Sequence, residues 1–174
     1  MANYATSLGR ALGLGDGDLQ ALRRGGFLHD IGMLVIPDTV LRKPGTLDPE
    51  EFELIKSHTV IGDSLCANLR SLRAVRSIVR HHHERLDGSG YPDGLRGDAI
   101  PLLAQIISLV DVYDAVTSER PYQRAQTNEQ ALTLLRGQAD RGWRQHDLVK
   151  EFAALLERGK LQTFAAGSDP SATI

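Results

Sequence analysis

Residues that bind metal ions are unusually frequent in the first two-thirds of the sequence. Five of its six histidines lie between residues 29 and 83. The candidate ligands are four histidines and two aspartates: His29, Asp30, His58, His82, His83 and Asp111. Mixed nitrogen and oxygen ligands favour iron, manganese or zinc over magnesium or calcium. The single cysteine, Cys66, excludes an internal disulfide framework and does not favour a structural zinc site. The pattern indicates catalytic metal chemistry.

The His29-Asp30 pair follows an apolar segment and precedes Gly32. Neighbouring helical residues point about 100° apart, so both side chains reach one point most easily where a helix ends. Gly32 is typical of such an end. The carboxylate could bridge two cations while the imidazole binds one. Taken alone, the pair is better explained as a surface histidine beside a helix-ending aspartate.

The three consecutive histidines at 81–83 come directly before a glycine-rich loop. Adjacent imidazoles repel one another when protonated, and they are poor helix formers. We therefore expect at least two of them to face a cation. Asp111 lies in the strongly apolar segment 102–118, where a buried carboxylate is costly unless it pairs with an arginine or binds a metal.

Apolar residues at helical spacing predict the elements that must position these side chains. The predicted helices are 2–14, 18–32, 48–69, 72–85, 102–118, 127–138 and 147–156. Capping boxes at Asp48–Glu51 and Thr127–Gln130 open two of them, and loops are predicted at 33–47 and 87–101. No strand-like alternation is present. We predict one all-α domain, a helical bundle over residues 1–158, followed by a disordered tail at 159–174.

The composition narrows the classes of partner. The formal net charge is −2, which offers no large positive surface for a nucleic acid polymer. No apolar run approaches the roughly 20 residues that span a bilayer, so we expect no membrane span and a cytoplasmic location. A small anionic ligand is compatible with this charge, because a metal cluster can dominate the local field.

Read together, these motifs resemble the HD-GYP family of bacterial cyclic-di-GMP phosphodiesterases, a branch of the HD metal-dependent phosphohydrolase superfamily that acts in signal transduction. The motifs occur in the family's order: HDIG at 29–32, IPDTVLRKPGTL at 36–47, the helix of His58, HHERLDGSGYPDGLRG at 82–97 and DVYDAVTSERPY at 111–122. The resemblance covers about residues 4–125. It implies an HD-domain helical bundle with a central metal site.

The resemblance also implies site roles. His29 and Asp30 would be the catalytic pair, with Asp30 bridging two divalent ions. Iron or manganese would be the preferred metals, with zinc, nickel or cobalt as alternatives. The second ion would be held by His58, His82 and His83, and Asp111 would complete the first. The substrate contacts would be Gly90, Tyr91, Arg120 and Arg124. His81 stands outside the family pair, and the second His-Asp pair, His146-Asp147, is predicted to open a helix.

The implied activity is hydrolysis of cyclic di-GMP to pGpG or GMP by a metal-bound hydroxide. The implied partners are cyclic di-GMP, an upstream sensory or receiver domain and GGDEF-type proteins. Met33 and Gln123 stand where the family carries basic residues, and the family's first-helix histidine ligand would fall before Met1. These departures favour the alternative of a catalytically degenerate module that senses nucleotide or binds a protein. A remoter alternative is an HD enzyme for another phosphoester.

Overall fold

The computed structural model describes residues 1–119 and 124–159. The α-helices of these residues are α1 (Ala2–Ala11), α2 (Asp16–Leu28), α3 (Asp38–Leu41), α4 (Pro49–Lys56), α5 (His58–Cys66), α6 (Arg73–His81), α7 (Leu102–Thr117), α8 (Asn128–Asp140) and α9 (His146–Glu157). Short 3₁₀ segments occur at Ile31–Val35, Arg70–Leu72 and Gly97–Ala99. The described ranges contain no β-strand, so the all-α prediction is confirmed.

Helix α7 lies at the centre of the bundle and packs against α1, α2, α6 and α8. Its residues Ile106, Ile107 and Val110 are fully buried. Each buried side chain of this size contributes about 1.5–3 kcal/mol to the hydrophobic free energy of folding. A second, smaller apolar cluster is formed by Cys66, Val75 and Val79 between α5 and α6. The two clusters fix the helices that carry the candidate ligands.

The predicted helix over 48–69 is wrong, because the structure divides it at Ser57 into α4 and α5. Three consecutive side chains bind carbonyls of the last turn of α4. The Ser57 hydroxyl donates to Leu54, His58 Nδ1 to Ile55 and the Thr59 hydroxyl to Lys56. Such local bonds compete with the regular helical pattern. As a result His58 is the first residue of α5.

The helix predicted over 18–32 also ends earlier. Helix α2 stops at Leu28, His29 is its C-cap, and Asp30 follows directly. Gly32 belongs to the following 3₁₀ segment and is buried there. The region predicted as a loop, 33–47, therefore contains most of this 3₁₀ segment and the one-turn helix α3. The loop predicted at 87–101 is present, interrupted by one 3₁₀ turn.

Both predicted capping boxes are present. Asp48 accepts from the backbone of Glu51, whose side chain accepts in return, and Thr127 and Gln130 make the same pair of bonds. No helix in the described ranges combines the length and apolar character of a membrane crossing. Most of the predicted tail at 159–174 lies outside the described residues.

We expect the Thr127→Ala variant to lose about 1 kcal/mol of unfolding free energy, because the N-terminal amide of α8 at Gln130 loses its acceptor. Urea denaturation would measure the loss. Thr133→Ala is the matched control, since Thr133 is exposed on the same helix and its hydroxyl bonds only the preceding turn. An equal loss in both variants would contradict a capping role.

Candidate metal centre

Four separate helices bring the six predicted ligands to one place. His29 and Asp30 stand at the end of α2 and His58 opens α5. The end of α6 carries His82 and His83, while Asp111 projects from the middle of α7. Five of these side chains therefore come from helix ends. Residues that are adjacent in the chain face a common point most easily at such an end.

The two oxygens of the Asp30 carboxylate face two groups of donors. Its Oδ1 lies 3.3 Å from His58 Nε2 and 3.6 Å from His82 Nε2. Its Oδ2 lies 3.3 Å from His29 Nε2, which is itself 3.6 Å from Asp111 Oδ1. Asp30 thus joins two halves of the cluster. This is the arrangement that a carboxylate bridging two cations requires.

One half of the cluster has the dimensions of a metal site. Asp30, His58, His82 and His83 each offer a ligand atom, and these atoms all lie within 4.8 Å of one another. His58 and His82 are fully buried. The described residues could therefore hold one ion here, with His29 and Asp111 available for another on the opposite side of Asp30.

Backbone hydrogen bonds fix which nitrogen of two rings faces the cluster. The Nδ1 of His58 lies 2.7 Å from the carbonyl of Ile55, and the Nδ1 of His82 lies 2.9 Å from that of Val79. Since a carbonyl only accepts, each Nδ1 carries the proton and each Nε2 presents a lone pair. Metal-binding histidines commonly use this arrangement.

The charge states of the histidines differ across the cluster. Burial lowers the pKa of His82 and lowers that of His83 to about 3, so both rings are neutral at pH 7. Burial also lowers the pKa of His29, but hydrogen bonds to Asp111 and Asp30 outweigh it and raise the value to about 10. Positive charge is therefore stabilised between the two aspartates.

These observations fit a metal ion. The Nε2 atoms of His58 and His82 lie only 3.4 Å apart, and both face the same oxygen of Asp30. Three converging lone pairs repel one another unless a cation lies between them. Burial raises the pKa of Asp30, but the neighbouring histidines, His29 first among them, outweigh it and hold this pKa well below its usual range. The donor set suits iron, manganese or zinc.

The glycine-rich loop covers the His83 side of the cluster. Tyr91 stacks on the His83 ring, with centroids 4.8 Å apart. The buried Glu84 carboxylate holds the loop by accepting from the backbone amides of Asp93 at 2.7 Å and Leu95 at 3.1 Å. The sequence offered little sign of this anchor, because Glu84 reads as one more polar residue after the histidines.

The predicted substrate contacts have different surroundings. Tyr91 borders the cluster, whereas Gly90 packs so closely on the backbone that an added Cβ would lie 2.4 Å from the Glu84 Cα atom. Gly90 therefore sets the path of the loop. Arg124 is exposed, and Arg120 lies outside the described residues. The substrate roles of all four residues stay predictions.

The remaining histidines lie apart from the cluster. His81 faces the other way, with Nε2 3.0 Å from Asp93 and Nδ1 3.0 Å from the Ser77 carbonyl. His146 is exposed at the first residue of α9, where its nearest carboxylate is that of Asp140 at 3.9 Å. The prediction that the second His-Asp pair opens a helix is confirmed.

We expect the His81→Ala variant to bind as much metal as the unmodified protein, because neither of its ring nitrogens faces the cluster. Its unfolding free energy should fall by no more than about 1 kcal/mol, the usual range for a pair near the surface. His82→Ala should instead lose metal. Elemental analysis of both variants after reconstitution would compare them, and equal losses would contradict this difference.

Comparison with known proteins agrees with the fold. A family model described as an HD domain matches residues 1–146. The cyclic di-GMP phosphodiesterase response regulator RpfG of Xanthomonas campestris is 43% identical over 143 residues, which are 81% of this chain and 38% of that protein. The 3'3'-cGAMP-specific phosphodiesterase 3 of Vibrio cholerae is 37% identical over 135 residues, 78% of this chain and 29% of that protein.

A solved structure shares the same fold. The Bdellovibrio bacteriovorus protein Bd1817, described as an HDG"Y"P protein, superposes with a TM-score of 0.71 at 23% identity, over 90% of this chain and 50% of that one. The chain spans well under half the length of the two curated relatives. With its HD domain match over residues 1–146, the chain belongs to the HD domain family, in its HD-GYP branch.

Proposed function

We propose that residues 1–158 form an HD-GYP domain that hydrolyses cyclic di-GMP to pGpG or GMP with two bound divalent ions, iron or manganese by preference. The observation that carries the proposal is the convergence of histidine side chains on both oxygens of the Asp30 carboxylate. Relatives named as cyclic di-GMP and cGAMP phosphodiesterases support the substrate class.

The chain's own residues would prepare the reaction in two ways. Asp30 would hold both ions, with His58, His82 and His83 on one side and His29 and Asp111 on the other. Bound ions would supply positive charge that neutralises the phosphodiester and activates water for attack on phosphorus. Burial raises the pKa of Tyr91, so its hydroxyl stays neutral and adds no negative charge against the substrate.

A turnover assay tests the proposal. Protein reconstituted with Mn²⁺ or Fe²⁺ should convert cyclic di-GMP to pGpG or GMP, and a chelator should stop the reaction until metal is restored. Competition with 3'3'-cGAMP at equal concentration would measure substrate preference. Protein that carries metal and gives no turnover would overturn the proposal.

The degenerate sensor is a second candidate, because Met33 places a thioether where the family carries a basic residue that could contact phosphate. Calorimetric binding of cyclic di-GMP by metal-loaded protein that does not hydrolyse it would support this candidate. The sensory or receiver domain, the GGDEF-type partners and the cytoplasmic location stay predictions.

A further inference from the structure

A pocket of about 280 Å³ opens beside the metal centre. His83 and Tyr91 form the wall that it shares with the cluster, and Arg85, Trp143 and Arg144 line its other side. Its volume is near the lower limit for small-molecule sites. A ligand whose reacting phosphate lies at the cluster could therefore place a further part of itself in this pocket.

The side chain of Arg144 lines the pocket and, among the described residues, is hydrogen-bonded only to neutral groups. Its Nε donates to Gln138 at 2.6 Å and its Nη1 to the Ser108 hydroxyl at 3.0 Å. Both partners are neutral, and no carboxylate of residues 1–119 and 124–159 forms an ion pair with this guanidinium. Burial lowers the pKa of Arg144 to about 10, although the group remains charged at pH 7.

A partly buried cation without a direct ion pair is costly, even though Asp111 stabilises its charge from a longer distance. The guanidinium has five N–H donors, and its two neutral contacts leave others free to bind an anion. The contacts to α8 and α7 also hold the group in one orientation before any ligand arrives. Arginine in a fixed orientation is well suited to phosphate, which it can bind through two parallel hydrogen bonds.

The other charges of the pocket favour an anion too. Lys56 and Arg85 also line it, and Lys56 pairs on its own helix with Glu53. The one acidic lining residue, Glu84, directs its oxygens to the backbone amides of the loop. Walls of one charge sign concentrate oppositely charged ligands. The pocket is therefore electropositive although the whole chain has a net charge of −2.

We propose that this pocket binds the second phosphate of the dinucleotide, the one that is not being hydrolysed, and that Arg144 is the residue that contacts it. The inference rests on the proposed function for the identity of the ligand. It assigns Arg144 to substrate binding and specificity. A substrate with two phosphates gains this contact, and a simple phosphodiester with one phosphate does not.

Kinetics on two substrates separate this role from a structural one. We expect Arg144→Gln to raise KM for cyclic di-GMP about 10- to 100-fold, as for the loss of a charged hydrogen bond. Turnover of bis(p-nitrophenyl) phosphate, which has one phosphate, should stay unchanged. Ser108→Ala removes one contact that orients the guanidinium, so it should raise the same KM several-fold with little risk to folding. Equal losses on both substrates would assign Arg144 a structural role and overturn the proposal.

Binding provides a readout that does not need turnover. Trp143 is the only tryptophan and lines the pocket, with the Arg85 guanidinium 3.8 Å from its ring centroid. A slowly hydrolysed phosphorothioate analogue of cyclic di-GMP should change its fluorescence, and Arg144→Gln should raise the Kd about 10- to 100-fold. Arg141→Gln is the matched control, because Arg141 is exposed 5.4 Å from the same ring but does not line the pocket.

The outcomes distinguish the two proposals. If Arg144→Gln leaves hydrolysis unchanged, the phosphodiesterase assignment stands and the proposed phosphate site in the pocket is overturned. If the protein binds cyclic di-GMP in a way that depends on Arg144 but does not hydrolyse it, the phosphate site is supported and the enzymatic assignment is overturned. If metal-loaded protein neither binds nor hydrolyses cyclic di-GMP, both proposals are overturned.

Discussion

Asp30→Asn should reduce hydrolysis of cyclic di-GMP by about 10³-fold or more, the effect of losing several kcal/mol of metal-dependent stabilisation. The carboxylate is the one group that faces both halves of the cluster, with Oδ2 toward His29 and Oδ1 toward His58. An asparagine has no net charge and replaces one oxygen by an NH₂ donor. That donor cannot bind a cation, so at least one ion should be lost.

Elemental analysis after reconstitution would report the metal content of this variant, and product chromatography would report its turnover. The chain contains its own matched control in the second His-Asp pair. Asp147→Asn makes the same chemical change at the exposed start of α9 and should retain both metal and activity. Full metal content and full turnover in Asp30→Asn would contradict the assignment of Asp30 as a bridging ligand.

Local patterns predicted much of the architecture. The capping boxes at Asp48 and Thr127 specify helix starts through bonds between residues three apart, and the apolar segment 102–118 specifies the central helix. The division at Ser57 was not predicted. It depends on hydroxyl and imidazole side chains that bind nearby carbonyls, and residues of these types also occur inside regular helices.

The candidate ligands could be named from the sequence, but their mutual geometry could not. Residue type and motif identified Asp30 and His82, which lie far apart along the chain. Their distance depends on how α2 packs against α6. Arg144 was missed altogether. Its significance comes from the absence of a direct carboxylate partner among the described residues and from the contact between the α8–α9 connection and Ser108 on α7, which are properties of tertiary packing.

Gly32 shows how closely the packing constrains the site. It lies where the 3₁₀ segment after Asp30 meets α5, and an added Cβ would stand 1.9 Å from the carbonyl oxygen of His58 and 2.8 Å from the amide nitrogen of Gly62. Backbone atoms occupy both positions, so no side-chain rotation can relieve the contact. We expect Gly32→Ala to lose about 3 kcal/mol or more of unfolding free energy.

The same change should impair the metal centre, because it separates the segment of Asp30 from that of His58. A displacement of about 1 Å can lower a rate by about 10²-fold. Urea denaturation and metal content would measure the two effects. Gly137→Ala is the matched control: Gly137 lies inside α8, where a Cβ meets no atom within 4 Å. That variant should gain about 0.5–1 kcal/mol from reduced freedom of the unfolded chain. If Gly32→Ala were equally stable and metal-bound, the close backbone contact would not be what holds the two ligand segments together.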